Sequence, residues 1–571
     1  MDRLTNMTMQ IKTFLLTIIL LFTGTPSAFS QSTLSAEVPM EKVYLHTSTA
    51  LLFPGDYLYY KAYVREAKSK ELSNLSKVAY VVLVDSEGTV HFEHKLFLKD
   101  GMGYGDYFVR ENLESGMYKL LAYTNWMKNV GEPAFFQTDI AIINPYTNNQ
   151  SKVLGKTSQT MLKTSANTSS AYIDLIVPQK EFASRQKASF SLEFKDEDAK
   201  QGHYSLSVYR KNPFSLKAIA TASEEEQNNT FVQPKTLNKD SFLPELRGEL
   251  IQARVLDEAS NPVSDVPVAF SALGQYEHFD IAQSNSEGAF FVNLAQNYET
   301  TPMFMEPITD AAYTVEFVPK TAVDATKLAF PEFKFDEKVK DFILQKSIHN
   351  QLENAYAGAK PDSILPPVKA ESLRSLEDVN YQLDDYTRFP TLRETIREVV
   401  TVVGVRDKQA FVWTDKSLAF ENLSALVLVD GAFVKDHSLL WDLDARKIKE
   451  ISVVRKNLMF NAKTFRGAVL ITTENMDFQA LQLVGKRNYS TFLPAPQKQK
   501  TYFFTDHSQA QNEKLPDFRY QLLWKPVLEI GSSKEDMFFY TSDVTGAFEI
   551  RLEGFTKSGK PVSLRSEIEV K

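Results

Sequence analysis

Cysteine is absent from all 571 residues, which removes disulfides, thiolate metal sites, an internal thioester and the acylated cysteine that anchors a lipoprotein. Basic runs are absent too: the net charge is -8 and the pI about 5.7, whereas nucleic-acid binding calls for a basic stripe. Beyond residue 30 no apolar run reaches the roughly 20 residues that a membrane helix needs, so no transmembrane segment is expected in the mature chain. Catalytic signatures are missing as well, with no G-x-S-x-G, no H-E-x-x-H and no G-x-x-x-x-G-K-S/T. No enzymatic activity, cofactor or metal is therefore expected. His91 and His94 do not make a metal pair, because an i, i+3 spacing on a strand puts them on opposite faces; they read as a solvated strand edge.

The chain has instead a surplus of aromatics, with 40 Phe and 24 Tyr in an aromatic share of 12%, which favours strands. Its length exceeds one core and suggests roughly three to five domains. Residues 1–30 read as a cleavable signal peptide: an apolar run from Phe14 to Phe22, then a small-x-small site at Ala28-Phe29-Ser30. Export, with a mature start at Gln31, is the expectation, and the location is periplasmic or outer-membrane-associated.

Residues 36–147 alternate apolar and polar with turn signals at sandwich-like spacing. Val43 to Thr47 leads to Phe53-Pro-Gly-Asp-Tyr57 and the strand Leu58 to Val64, and Gly116 to Met127 closes the unit. In that strand Leu58, Tyr60, Ala62 and Val64 share the face expected to pack on the opposite sheet, and Tyr59, Lys61 and Tyr63 point the other way. The motifs K-x-Y-L-H-T, F-P-G-D, K-A-Y and G-x-Y-x-L-x-A-Y-T-N-W-M resemble those of the macroglobulin-type β-sandwich of envelope proteins. Asn148–Ser170 and Thr221–Asp240 are polar breaks, and the strands between them read as a second sandwich, 171–220.

A third sandwich, 241–325, resembles the carboxypeptidase-regulatory-like domain through Gly248 to Leu256, Asn261 to Phe270 and Asn285 to Val292, with Asn285 where Asp is usual. That family name denotes no peptidase chemistry. Residues 330–380 read as a helical connector, since Val339, Phe342, Ile343, Ile348 and Leu352 recur at near-helical spacing within Phe333–Tyr356. Residues 477–571 read as a C-terminal macroglobulin-like sandwich, from Leu515-Pro-Asp-Phe-Arg519 and Phe538 to Phe548.

Residues 381–476 change period. Thr391 is an N-cap with Glu394 three residues on, and Leu392, Ile396 and Val399 share a helical face. Strands follow at Ala425–Val434, Ile448–Val454 and Phe465–Thr473, with a helical candidate at Ser438–Arg446. The order resembles the plug domain of TonB-dependent receptors, through Val429-Asp430-Gly431, Ile448 to Val453 and Gly467 to Thr473. Only 97 residues follow Glu474, too few for the roughly 22-stranded barrel of such a transporter.

The fold expected is therefore mainly β: tandem immunoglobulin-like or macroglobulin-like sandwiches with one α+β plug-like domain. The whole resembles Gram-negative (Bacteroidota-type) envelope proteins that carry a plug-like domain without a barrel. That resemblance implies a non-catalytic envelope binding or scaffold protein that docks to an outer-membrane or periplasmic partner, an outer-membrane barrel protein being one candidate. The alternatives are an accessory component of a TonB-dependent uptake or outer-membrane assembly complex, and a hydrolase with an unrecognised site. The plug-like turn is the expected docking surface, with Asp430, Gly431, Phe433 and Lys435 as its binding residues, because turns present side chains outward.

Overall fold

Strand-forming, turn-punctuated segments dominate the chain, and the computed structural model is accordingly mainly β. It describes residues 39–571 except 149, 151–152, 156–166, 215, 217–218, 229–240, 274–277, 295–297, 299, 301, 320–322, 367–371, 415–422, 462, 479–488 and 510–513. The expected signal peptide and cleavage site lie outside the described residues, as does much of both polar breaks. Everything below belongs to the unit Met40–Lys571.

The first sandwich holds β1 (Glu41–Thr47), β2 (Leu51–Leu52), β3 (Tyr57–Glu66), β4 (Val78–Asp85), β5 (Val90–Phe97), β6 (Met102–Phe108), β7 (Gly116–Tyr123) and β8 (Phe136–Ile142). They form a sheet β1-β3-β6 facing a sheet β2-β8-β7-β4-β5. Leu58, Tyr60, Ala62 and Val64 do pack between the sheets, but Lys61 and Tyr63 on the opposite face are equally buried. Something must therefore cover the outer side of β3.

That cover is a second sandwich whose strands come from two distant parts of the chain. β9 (Ile173–Ile176), β10 (Glu181–Phe182), β11 (Lys187–Phe194) and β12 (His203–Arg210) supply half of it. The rest arrives after a third sandwich made of β13 (Glu249–Leu256), β14 (Pro267–Ala272), β15 (His278–Gln283), β16 (Ala289–Leu294), β17 (Pro302–Pro307) and β18 (Thr314–Phe317). A helix α1 (Lys340–Ala355), β19 (Ser363–Ile364), β20 (Val379–Gln382), a helix α2 (Leu392–Glu398), β21 (Val403–Arg406) and β22 (Gln409–Val412) come next. They are followed by β23 (Leu426–Val429), β24 (Ala432–Phe433), β25 (Ile448–Phe460), β26 (Lys463–Thr473), β27 (Tyr489–Phe492) and β28 (Lys500–Thr501). The closing strands are β29 (Gln521–Lys525), β30 (Lys534–Tyr540), β31 (Gly546–Phe555) and β32 (Pro561–Val570).

The sheets β10-β32-β31-β12-β29 and β30-β11-β9 then complete one sandwich. β12 lies between β31 and β29, with Leu206 opposite Leu552 and Lys525, so the separate sandwiches expected at 171–220 and 477–571 are a single domain. Neither segment has enough strands to bury its own apolar face, and pairing satisfies both. The early part of 477–571 goes elsewhere: β27 extends the β15-β14-β17 sheet of the third sandwich, and β28 pairs with β19. Thr221–Asp240 is likewise not only a break, because Ala222–Asn228 is a helix whose Glu226 meets Arg65 at 2.8 Å.

The 381–476 region forms a mixed sheet β20-β25-β26-β23-β24, in which β23 and β26 run parallel. Thr391 caps α2 as expected, its side chain accepting from the Glu394 N–H. Leu392 and Ile396 bury on one sheet face. The other face packs on the third sandwich, where Phe433, Leu428 and Phe465 meet Ala269, Ile281 and Phe279. The helix expected at Ser438–Arg446 is instead two 3-10 turns, His437–Leu440 and Ala445–Lys447, because Asp436 and Asp444 each turn back onto the N–H two residues ahead.

The connector also departs from expectation. α1 spans Lys340–Ala355, and it buries Lys346, Ser347, His349 and Asn350, while Leu344 is 58% and Ile348 48% exposed. The apolar period seen in the sequence faces outward along most of the helix. Only Phe342 and Ile343 at its start join the apolar cluster around Phe53 and Phe214.

Candidate functional site

The polar face of α1 closes on the Pro54-Gly55-Asp56 turn. Lys346 Nζ donates to Asp56 Oδ1 at 2.6 Å and to Asn350 Oδ1 at 2.8 Å, Asn350 Nδ2 to the Pro54 carbonyl at 3.1 Å and Asn354 Nδ2 to the Gly55 carbonyl at 3.1 Å. Gly55 sits at φ +88, and a Cβ there would meet Asn354 Nδ2 at 2.4 Å; both the left-handed backbone and the close approach require glycine. Burial pulls the Lys346 amine down, and Asp56 works against that shift.

This turn and helix form one wall of a cleft of 1220 Å³. Its other walls are β3, β6, the short ladder β19-β28 with the residues after it, and the strands β29 and β30. Aromatic rings line it: Tyr57 stacks on Tyr59 (5.9 Å between centroids), Tyr59 on Trp524 (5.9 Å), and Tyr502 meets Tyr59 edge-on (5.0 Å). Phe504 and Phe538, 5.6 Å apart, stay partly exposed on the far wall. The cleft exists because successive residues of β3 point to opposite sides, so that Tyr59, Lys61 and Tyr63 face the second sandwich.

Charges within it are mostly matched in pairs. Lys500 Nζ lies 2.8 Å from Asp106 and 3.1 Å from Asp362, and Lys360 lies 2.7 Å from Glu353. Burial opposes the Lys500 charge, but the bonds to Asp106 outweigh it and raise its pKa. Asp56, Glu353 and Asp362 are thus each held on an ammonium group.

Lys61 differs. Its side chain is 1% exposed and lines the cleft; among the described residues its one hydrogen bond is a long one, 3.4 Å to the Tyr204 carbonyl, and the amine lies 4.4 Å from the centre of the Tyr63 ring. Burial brings its pKa down to about 7. Directly across the strand pair sits His46. Arg551 Nε donates to His46 Nε2 at 3.2 Å, which leaves Nδ1 to carry the proton and donate to Ser205 Oγ at 2.6 Å. Burial first, then Arg551 and Lys61, keep this imidazole neutral. The His46 ring packs 5.1 Å from Trp524, whose buried indole N–H has no hydrogen-bond partner among the described residues.

The residues expected to bind lie elsewhere and have other work. Asp430 (φ +49) and Gly431 (φ +82) form the two-residue turn between β23 and β24, with both left-handed as a type I′ hairpin turn requires. The Asp430 side chain points inward: it accepts from the Thr473 N–H at 2.8 Å, the Thr473 hydroxyl at 2.6 Å and the Phe478 N–H at 3.1 Å. Phe433 is 3% exposed, and its N–H donates to Ser271 Oγ at 3.1 Å. Lys435 reaches the Thr309 carbonyl and, at 3.3 Å, Asp310. Phe433 and Lys435 thus form a seam to the third sandwich, and Asp430 ties its own turn to the end of β26, because the sheet's apolar face had to be covered and the chain covers it itself. His94 also departs from a solvated edge: its Nδ1 meets the Tyr60 hydroxyl at 2.5 Å, and burial lowers its pKa to about 4.

The cleft escaped sequence reasoning because its walls are drawn from segments around 54–61, 102–106, 346–365 and 499–538. One signal was available. Lys346, Asn350 and Asn354 recur at i, i+4 and i+8, a polar stripe as regular as the apolar one beside it.

No protein-family model and no curated protein sequence matches this chain. Among solved structures it is similar to Escherichia coli alpha-2-macroglobulin activated by porcine elastase, at 10% identity and TM-score 0.23, covering 93% of this chain and 44% of that one. A Salmonella alpha-2-macroglobulin mutant matches at 9% identity and TM-score 0.23, over 93% of this chain and 39% of that one. The native conformation of the E. coli protein gives 10%, 0.23, 93% and 40%. The chain spans about two fifths of the length of these structures.

Proposed function

We propose that this is a non-catalytic binding or scaffold protein of the cell envelope, and that it holds its partner in the aromatic cleft between the first and second sandwiches. The observation that carries this reading is the cleft itself: 1220 Å³, walled by aromatic rings from distant parts of the chain, with carboxylates on its walls neutralised by the protein's own lysines. Aromatic rings supply large contact area at low cost in conformational entropy, and they dominate binding surfaces for that reason. The cleft exceeds the size usual for small-molecule sites, which favours a polymeric ligand. The envelope setting rests on the signal-like N-terminus and on the resemblance of the 36–147, 241–325 and 381–476 regions to envelope modules.

The test is capture from crosslinked envelopes by the wild-type chain and by a cleft variant, Phe504→Asp with Phe538→Asp, both side chains being partly exposed. The expected result is one periplasmic or outer-membrane protein crosslinked by the wild type and lost in the variant, with the circular-dichroism spectrum unchanged. Equal capture by both chains would move the site off the cleft. Co-purification of a barrel protein would favour the accessory-component alternative.

A further inference from the structure

We propose that the cleft, if it is the binding site just argued, receives an extended polypeptide segment that adds as a strand to the outer edge of β29 and seats a carboxylate on Lys61. β29 is the last strand of its sheet, with β12 on one side and no strand on the other among the described residues. All of Gln521–Lys525 lines the cleft. A sheet edge offers backbone donors and acceptors in register with an added strand, and alternate side chains of that strand fill pockets beside it. The partly exposed rings of Tyr57, Phe504 and Phe538 stand where such side chains would go. The edge is not wholly vacant, since the Leu522 carbonyl accepts from Arg519 Nη1 at 3.1 Å.

The need for a carboxylate comes from the floor. Lys346, Lys360, Lys500 and Arg519 each meet a carboxylate of the chain, but Lys61 meets none among the described residues. A buried amine with one long hydrogen bond and one ring contact, to Tyr63 at 4.4 Å, but no carboxylate is costly as a cation, and a carboxylate from the ligand restores its charge. The indole N–H of Trp524, without a hydrogen-bond partner among the described residues, adds a second donor asking for an oxygen. Binding is then linked to protonation. Near pH 8 the free amine is largely neutral, since burial has brought its pKa down to about 7, so the complex takes up a proton there and much less at pH 6.

The experiment selects eight-residue peptides with free C-termini from a random library against the full chain, alongside a set of uronic-acid oligosaccharides. An enriched peptide is measured by calorimetry at pH 6 and pH 8 in buffers of different ionisation enthalpy. Expected are proton uptake at pH 8, a loss of at least tenfold in affinity with Lys61→Met, and a similar loss when alternate peptide amides are N-methylated. Amidating the C-terminus and replacing Asp or Glu side chains separately tell which carboxylate is used. Binding to Lys61→Met that equals wild type, indifference to N-methylation, or enrichment of an oligouronate and no peptide would each overturn the proposal. Should Lys61→Met still capture the crosslinked envelope partner while Phe504→Asp/Phe538→Asp does not, the cleft reading stands and this inference falls.

Discussion

Asp430 shows how one side chain can be misread when only its neighbours in sequence are known. A two-residue turn at Asp-Gly suggests an outward loop, yet the carboxylate closes the end of β26 and holds the start of the next segment. Asp430→Ala strands two backbone N–H groups and a hydroxyl, and it is expected to cost about 1–3 kcal/mol, read as a lower urea midpoint at unchanged slope. Phe433→Asp should leave no folded 381–476 region, because it would bury a carboxylate in an apolar seam; a folded variant with a wild-type melting point would refute the placement. Lys61 has the opposite sense. Its folded pKa of about 7 lies below the unfolded value, so between about pH 7 and 10.4 the unfolded chain holds a proton that the folded chain lacks. Stability at this site rises with pH through that window. Lys61→Met should therefore stabilise the protein most below pH 7, by up to about 5 kcal/mol, with the gain fading towards pH 10 in pH-resolved denaturation. Asp517 gives the acid limb. Burial works against its charge, but Arg519 and the hydrogen bonds from Arg519 and His507 outweigh it and hold the carboxyl well below the usual range. Its contribution is present above about pH 4 and lost as pH falls through the depressed value; Asp517→Asn should flatten that acid loss and cost about 3–5 kcal/mol at pH 7.

The helix α1 carries the sharpest disagreement between pattern and placement. Periodicity located it well, and its length follows from an unbroken run of helix-compatible residues without Pro or Gly from Lys340 to Ala355. Which stripe turns inward is a separate matter. Packing on a turn that exposes the Pro54 and Gly55 carbonyls and the Asp56 carboxylate favours donors, so Lys346, Asn350 and Asn354 face the protein. Leu344→Gln and Ile348→Gln are expected to change stability by no more than about 0.5 kcal/mol. Asn350→Leu should cost about 1–3 kcal/mol by leaving the Pro54 carbonyl and Lys346 short of partners. Melting temperatures of the three variants decide between this orientation and a helix buried by its leucines.

At the scale of the whole molecule, the second sandwich ties residues 173–210 to residues 521–570. β12 gains its neighbours only from strands that lie more than 300 residues later, as in the Leu206–Leu552 pairing. A chain ending at residue 476 would leave β11 and β12 without β29, β30 and β31, with apolar groups such as Leu206 and Val208 uncovered. Hydrogen exchange should then find the amides of 187–210 unprotected in that truncation and strongly protected in the full chain. Protection in both would mean that the early strands form a sandwich of their own. The same long-range pairing brings β12 and β31 beside β3, so that Lys61 donates to the Tyr204 carbonyl at the cleft and His46, across the strand pair, meets Ser205 and Arg551.

What the sequence determined by itself was local: the strand and turn alternation of the first and third sandwiches, the Thr391 cap of α2, and the tight turn at Pro54-Gly55-Asp56. Each depends on residues within a few positions of one another, where backbone geometry and side-chain period act directly. Whether Asp430 points in or out, which stripe of α1 is buried, and that two half-sandwiches complete each other were decided only in the tertiary structure. These outcomes depend on what covers a given face. A face formed by strands hundreds of residues apart leaves no period in either stretch to announce it.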